Sequence, residues 1–98
     1  MLISELLTDE SKWTQGTYAR DSTGVSCGVS EGICWCIMGA MFYCYGESDT
    51  PISQIMEKIS SALKIAYPEY KGVSPIIWQD TPGRRFGEVQ RVILIAGV

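Results

Sequence analysis

The chain has 98 residues, a formal net charge of −3 and no histidine. This length predicts a single globular domain over residues 1–98, because two independent cores would not fit. The acidic balance gives no general attraction to nucleic acid or to anionic membranes, so neither is expected as a partner.

The first residues predict a short helix and no export signal. Leu2, Ile3, Leu6 and Leu7 recur at helical spacing, which indicates a helix over about residues 4–10. Residues 1–7 contain no basic residue and only a short apolar run, unlike a signal peptide. We therefore expect the protein to be cytoplasmic.

The residue pattern at 17–27 is typical of a small β-hairpin. Two short segments, 17–20 and 25–27, flank the sequence Asp-Ser-Thr-Gly at 21–24, which suits a tight turn. An isolated hairpin is marginal in water. We therefore expect this one to lean on the helices.

The fifteen residues from Gly32 to Gly46 carry no charge, so they are expected at the centre of the fold. Apolar side chains occupy all sides of a helical wheel, as in a helix that is packed on several faces. We predict a central helix over about residues 31–45, with Ser30 as its N-cap and Gly46 as a left-handed C-cap.

Two further helices follow. Thr50 and Pro51 form a helix start, and apolar residues at three- and four-residue steps predict a helix that Pro68 stops at Tyr67. Residues 69–78 contain two glycine or proline breaks and predict an irregular connection. A last helix is expected from about Arg85 to Ala96. The predicted fold is mainly α, a compact bundle of about four helices around the central one.

The sequence offers no catalytic constellation. Without histidine, Ser-His-Asp and Cys-His catalysis and the commonest metal ligand are excluded. Cys34 and Cys36 would point to nearly opposite sides of a helix, so they could not share a metal ion. No glycine-rich phosphate loop matches. We predict a protein that is not an enzyme and has no metal, no cofactor and reduced cysteines.

Three loops hold polar residues beside aromatic ones, at 13–16, 19–21 and 78–85. Arg84 and Arg85 stand at the start of a predicted helix, where free N–H groups favour an anion and guanidinium groups bind phosphate or carboxylate. The predicted ligand-binding residues are Trp13, Gln15, Arg20, Trp78, Gln79, Asp80, Arg84 and Arg85. In the alternative interpretation, Arg20 or Arg84 pairs with Asp80 or Asp21 and ties the loops to the core.

The ordered short motifs are WTQG at 13–16, ARD at 19–21, Gly24, WCIMGA at 35–40, WQDTPGR at 78–84 and EV at 88–89. This set resembles an uncharacterised family of small actinobacterial and phage proteins, whose pattern is roughly W-x-Q-G, A-R-D, G, W/R-C-L-x-G-A, W-N-D-x-P-G-R and E-V. The chain departs from it at Gln79, where Asn is usual, and at Arg85, where a Thr would cap the helix. The resemblance implies an α-rich fold and an accessory role in infection, and it implies no activity.

Two functions compete on this basis. In the first, the chain is an accessory protein of phage type with an anti-defence role. It acts in the host cytoplasm and binds or sequesters a small anionic, nucleotide-like ligand. In the second, the protein binds a host protein and inhibits a defence or replication complex, in the manner of an anti-CRISPR protein. A third alternative is an interaction domain without a ligand. A homodimer through Ile95 and Val98 is compatible with all three.

Overall fold

A computed structural model describes residues 1–98 as a mainly α fold with one small antiparallel β element, which confirms the predicted fold class. The helices are α1 (Ile3–Leu6), α2 (Ile37–Tyr45), α3 (Ile52–Ala66), α4 (Pro75–Asp80) and α5 (Phe86–Ala96), and the strands are β1 (Ala19–Arg20) and β2 (Cys34–Trp35). Short 3-10 helices span Glu10–Lys12, Val29–Glu31 and Pro68–Tyr70. No helix combines the length and the apolar character that crossing a membrane requires.

The central helix is shorter than predicted. Cys36 is its N-cap, because the Sγ atom of Cys36 accepts a hydrogen bond from the Gly39 N–H at 3.3 Å. The predicted cap, Ser30, lies instead in a 3-10 turn, and Gly46 has a right-handed φ of −59°. An apolar run has no helical period to mark its start, so strand β2 was hidden within it.

The β element is present, with a different main partner from the one predicted. Ala19 pairs with Trp35 and Arg20 with Cys34, so β1 joins the segment before α2. The turn at 21–24 is confirmed, with Gly24 at a φ of +83°. Residue Ser26 returns only as an isolated bridge to Arg20. The 17–27 hairpin is therefore the outer edge of a β element completed by Cys34–Trp35.

Helix α2 packs through a glycine against Tyr18, the residue that precedes β1. A Cβ atom at Gly39 would overlap the backbone carbonyl of Tyr18. The Tyr18 carbonyl oxygen accepts the Cys36 N–H at 3.2 Å, so the two backbones meet directly there. This close approach requires the absence of a side chain at position 39.

One hydrophobic cluster runs from Ile3 to Val98 and includes α2, α3 and α5. The amphipathic helices α3 and α5 are present as predicted, with small shifts at their starts. Pro51 is the N-cap of α3 instead of Thr50, and Arg85 is the N-cap of α5. Gly97, at a φ of +69°, ends α5.

Two segments differ from their predictions. The first helix ends at Leu6, and a separate 3-10 turn follows at Glu10–Lys12. The connection at 69–78 is not wholly irregular, because Ser74 caps the short helix α4 by accepting the Ile76 N–H at 3.2 Å. Pro75 occupies the first helical position, where its missing N–H costs nothing. Helix α4 carries Trp78, Gln79 and Asp80 into the site.

Candidate functional site

Gln79 is a polar residue that is almost completely buried, with 1% of its surface exposed. Its Oε1 atom accepts the Trp13 Nε1–H at 3.0 Å and lies 3.5 Å from the Ile37 amide nitrogen. Its side-chain amide donates to the carboxylate of Asp80. One amide group thereby joins the first loop, the start of α2 and the end of α4.

The first loop is tied to α4 by two more residues. Gln15 Nε2 donates to the Gln79 carbonyl oxygen at 2.6 Å and to the Thr81 carbonyl oxygen at 3.1 Å. The Gly16 N–H donates to Asp80 Oδ1 at 3.0 Å. We call these bonds, with that of Trp13, the Gln79 network. Because their polar groups are used within the chain, these residues position the site.

Arg20 organises the second loop and pairs with no carboxylate. Its guanidinium donates to Thr14 Oγ1, to the Gly24 carbonyl and to the Gln15 carbonyl at 2.9, 3.2 and 3.1 Å. The expected partner Asp21 instead accepts from the turn, and the hydroxyl of Thr23 lowers the pKa of Asp21 most. Arg20 therefore fastens the turn to the first loop.

Arg84 packs against two aromatic rings that meet each other edge to face, with an interplanar angle of 74°. Its Cζ atom lies 4.4 Å from the Trp78 ring centroid and 5.0 Å from that of Tyr70, and we call these three residues the Arg84 stack. Arg84 Nε donates to the Trp78 carbonyl oxygen, and Nη1 forms an ion pair with Glu88, both at 3.0 Å. The predicted pairing with Asp80 is wrong. Sequence reasoning did not select Glu88, although its i,i+4 spacing to Arg84 signals this pair.

The Arg84 stack contains two buried donors without acceptors, Arg84 Nη2 and Trp78 Nε1. Only 6% of the Arg84 side chain is exposed. Buried polar groups are nearly always hydrogen-bonded, so an unpaired donor calls for a missing acceptor such as water or an ion. Because it contains two such donors, the Arg84 stack is the candidate site for a bound acceptor.

A cavity of about 310 Å³ adjoins the stack, because Tyr70 belongs to both. Its lining includes the side chains of Lys64, Ser60 and Ser74, together with Gly72. Sequence reasoning did not select Tyr70 or Lys64, since neither lies in the polar loops. The cavity combines a cation, hydroxyl groups and an aromatic ring.

Arg85 is exposed, and the helix terminus beside it already holds a carboxylate. The Arg85 N–H donates to Glu88 Oε1 at 2.9 Å, and this bond is the main cause that lowers the pKa of Glu88. The expected anion site at the start of α5 is thus filled by Glu88. The same bond replaces the missing Thr cap.

The Glu88→Gln variant should lose about 1 kcal/mol of unfolding free energy at pH 7, as for other lost helix caps. Because the folded state lowers the pKa of Glu88, the wild-type advantage exists above its ordinary value of 4.5. It should vanish as the pH falls through the folded-state pKa. Urea unfolding at pH 7 and pH 3 measures this, with the exposed Glu69→Gln as the control. A difference that is equal at both pH values would contradict it.

All four cysteines are free thiols. Cys36 is buried, and burial raises the pKa of its thiol, as it does for Cys44. We expect Cys36 to react with a disulfide reagent only as fast as the protein unfolds, because the thiolate is the reactive form. Thiol counting over time should show Cys36 as the slowest, identified by a Cys36→Ser variant that loses only that phase. Rapid labelling of Cys36 in the folded protein would refute this expectation.

The two residues expected at a dimer interface lie in different environments. Val98 is buried in its own chain, and its carbonyl oxygen accepts the Tyr45 hydroxyl at 2.7 Å. Ile95 is exposed and lines a groove between α3 and α5 beside the exposed Ile65. The homodimer remains a prediction, which now rests on Ile95 without Val98.

The geometry defines a small, mainly α domain in which hydrogen bonds join polar loops around a buried glutamine and a stacked arginine. Residues 2–97 match a family of unknown function, DUF6197, and the chain belongs to this family. No curated protein and no solved structure matches the chain.

Proposed function

We propose that the protein is a non-enzymatic binding module that takes a small anionic, nucleotide-like ligand beside the Arg84 stack. The observation that carries the proposal is the pair of buried, unpartnered donors, Arg84 Nη2 and Trp78 Nε1. A phosphate or carboxylate oxygen is the strong acceptor that each of these donors lacks.

The neighbouring cavity supports the same ligand chemistry. Lys64 and the hydroxyl groups of Ser60 and Ser74 can bind anionic oxygens, and the Tyr70 ring offers a face for a base. Because Tyr70 lines the cavity and also packs on the Arg84 guanidinium, we expect a shift of its ring to connect the two. Gly72, at a φ of +85°, follows Tyr70 closely and belongs to the same cavity wall.

In this proposal the other sequence-predicted residues hold the site in place. Trp13, Gln15, Gln79 and Asp80 fix the end of α4, and Arg20 fixes the first loop. None of these residues is assigned a contact with the ligand. The role in infection is carried over from the resemblance to phage proteins.

The test uses native mass spectrometry and calorimetry with AMP and inorganic phosphate as probes. We expect binding that Lys64→Ala weakens about tenfold, the effect of one charge-assisted hydrogen bond. The exposed Lys58→Ala on the same helix is the matched control, because it removes the same charge away from the cavity. Arg84→Lys, which keeps the charge and loses Nη2, should also weaken binding.

The proposal fails if the wild-type protein retains neither probe. It also fails if Lys58→Ala weakens binding as much as Lys64→Ala does, because the effect would then be one of net charge. Thermal melting of each variant separates a lost contact from a lost fold.

A second candidate is a protein-binding inhibitor of a host complex. The uneven distribution of charge favours it, since residues 21–57 contain no Lys or Arg. Anion binding that depends on Lys64 separates the first candidate from the second.

A further inference from the structure

The acidic part of the chain is also its base-free part. Residues 21–57 contain five carboxylates and no basic residue, whereas six of the eight basic residues lie between positions 58 and 91. The five carboxylates are Asp21, Glu31, Glu47, Asp49 and Glu57. This segment therefore carries a net charge of −5, which favours a basic partner.

A cleft of about 450 Å³ lies within this part, between the Val29–Glu31 turn and α2. We call it the acidic cleft, and its main lining residues are Val29, Ser30, Phe42, Tyr43, Glu47 and Ser48. None of its lining residues is basic, and the exposed Glu47 supplies a carboxylate.

One aromatic ring that lines the cleft, Tyr43, and one that packs on its lining, Tyr18, are exposed to solvent. Tyr43 is 44% exposed and packs on Trp35, with ring centroids 5.1 Å apart. Tyr18 is 51% exposed and packs on Phe42, with ring centroids 5.7 Å apart. The rings are thus held in place from below while their outer surfaces remain open.

Exposed aromatic faces beside a carboxylate are the chemistry that recognises arginine and lysine. A cation over a tyrosine ring is attracted by the ring quadrupole, and a neighbouring carboxylate adds a charge-assisted hydrogen bond. We infer that the acidic cleft binds a basic peptide segment of a partner protein, with an arginine or lysine side chain on Tyr43 and Glu47. This surface is separate in sequence from Lys64 and the Arg84 stack, so it does not depend on the proposed anion site.

The experiment measures binding of a fluorescein-labelled hexa-arginine peptide by fluorescence anisotropy. Tyr43→Ala should raise the Kd about fivefold, the effect of one cation–π contact, while Tyr43→Phe should retain binding. Glu47→Gln should weaken binding more than Glu69→Gln, which removes the same charge outside the cleft. Tyr43, Glu47 and Glu69 are all exposed, and melting temperatures equal to that of the wild-type protein confirm that each variant keeps the fold.

Equal weakening by Glu47→Gln and Glu69→Gln would overturn the inference, because the peptide would then follow net charge alone. Unchanged binding by Tyr43→Ala would overturn it as well. No binding of the peptide at low salt by the wild-type protein would exclude the acidic cleft as a site for basic segments.

Discussion

Gly39→Ala should lower the unfolding free energy by about 3 kcal/mol or prevent folding, because the new methyl group overlaps the Tyr18 carbonyl. The atoms that the new methyl group would meet belong to the Tyr18 backbone, so no side chain can rotate away to relieve the overlap. A backbone shift that relieved the overlap would also stretch the hydrogen bond from the Cys36 N–H to the Tyr18 carbonyl oxygen. Denaturant unfolding followed by circular dichroism measures the loss.

Gly87→Ala is the matched control. Gly87 lies in α5 with nothing within 4 Å of a Cβ atom placed on it. Alanine there should stabilise the protein by about 0.5–1 kcal/mol, since it forms helix more readily than glycine. If Gly39→Ala were as well tolerated as Gly87→Ala, the direct packing of α2 on the Tyr18 backbone would be refuted.

Gln79→Met should cost about 2–4 kcal/mol of unfolding free energy. Methionine keeps the length of the side chain, yet it leaves the Trp13 Nε1–H and the Ile37 N–H without their acceptor. Each buried donor left unsatisfied costs about 1–3 kcal/mol. Chemical denaturation measures the loss, and the tryptophan emission of Trp13 should change with it.

The exposed Gln90→Met on α5 provides the comparison, with an expected change within about 0.5 kcal/mol. A Gln79→Met variant as stable as Gln90→Met would show that the amide group carries no net stability. The Gln79 network would then have no role in holding the end of α4.

The parts of the fold that the sequence predicted well are those with a clear period. Helices α3 and α5 alternate apolar and polar residues at helical spacing, so their bounds came within a residue or two. The start of α2 could not be predicted, because an uncharged run of apolar residues is compatible with either a strand or a helix. Helix α4 has six residues between breaker residues, and only its Ser74 cap and Pro75 marked it.

The residues of the Gln79 network were predictable as a set, but the bonds between them were not. Trp13, Gln15, Gln79 and Asp80 were predicted to belong to one site, and they do meet. The pairing of Arg84 with Glu88 follows from where α5 begins, which the sequence placed only approximately. Tyr70 and Lys64 join the site through the path of the chain after α3, and no local pattern encodes that path.

The hydrogen bonds of the Gln79 network have a kinetic consequence. They join residues 64 to 66 positions apart, and the Ile3 N–H reaches the Val98 carbonyl across almost the whole chain. Such contacts form only after long loops have closed, so folding should be slower than in an up-and-down bundle of this size. Variants of Gln79 should therefore accelerate unfolding far more than they slow folding. The Gln79 network thus determines how long the native state lasts before it unfolds.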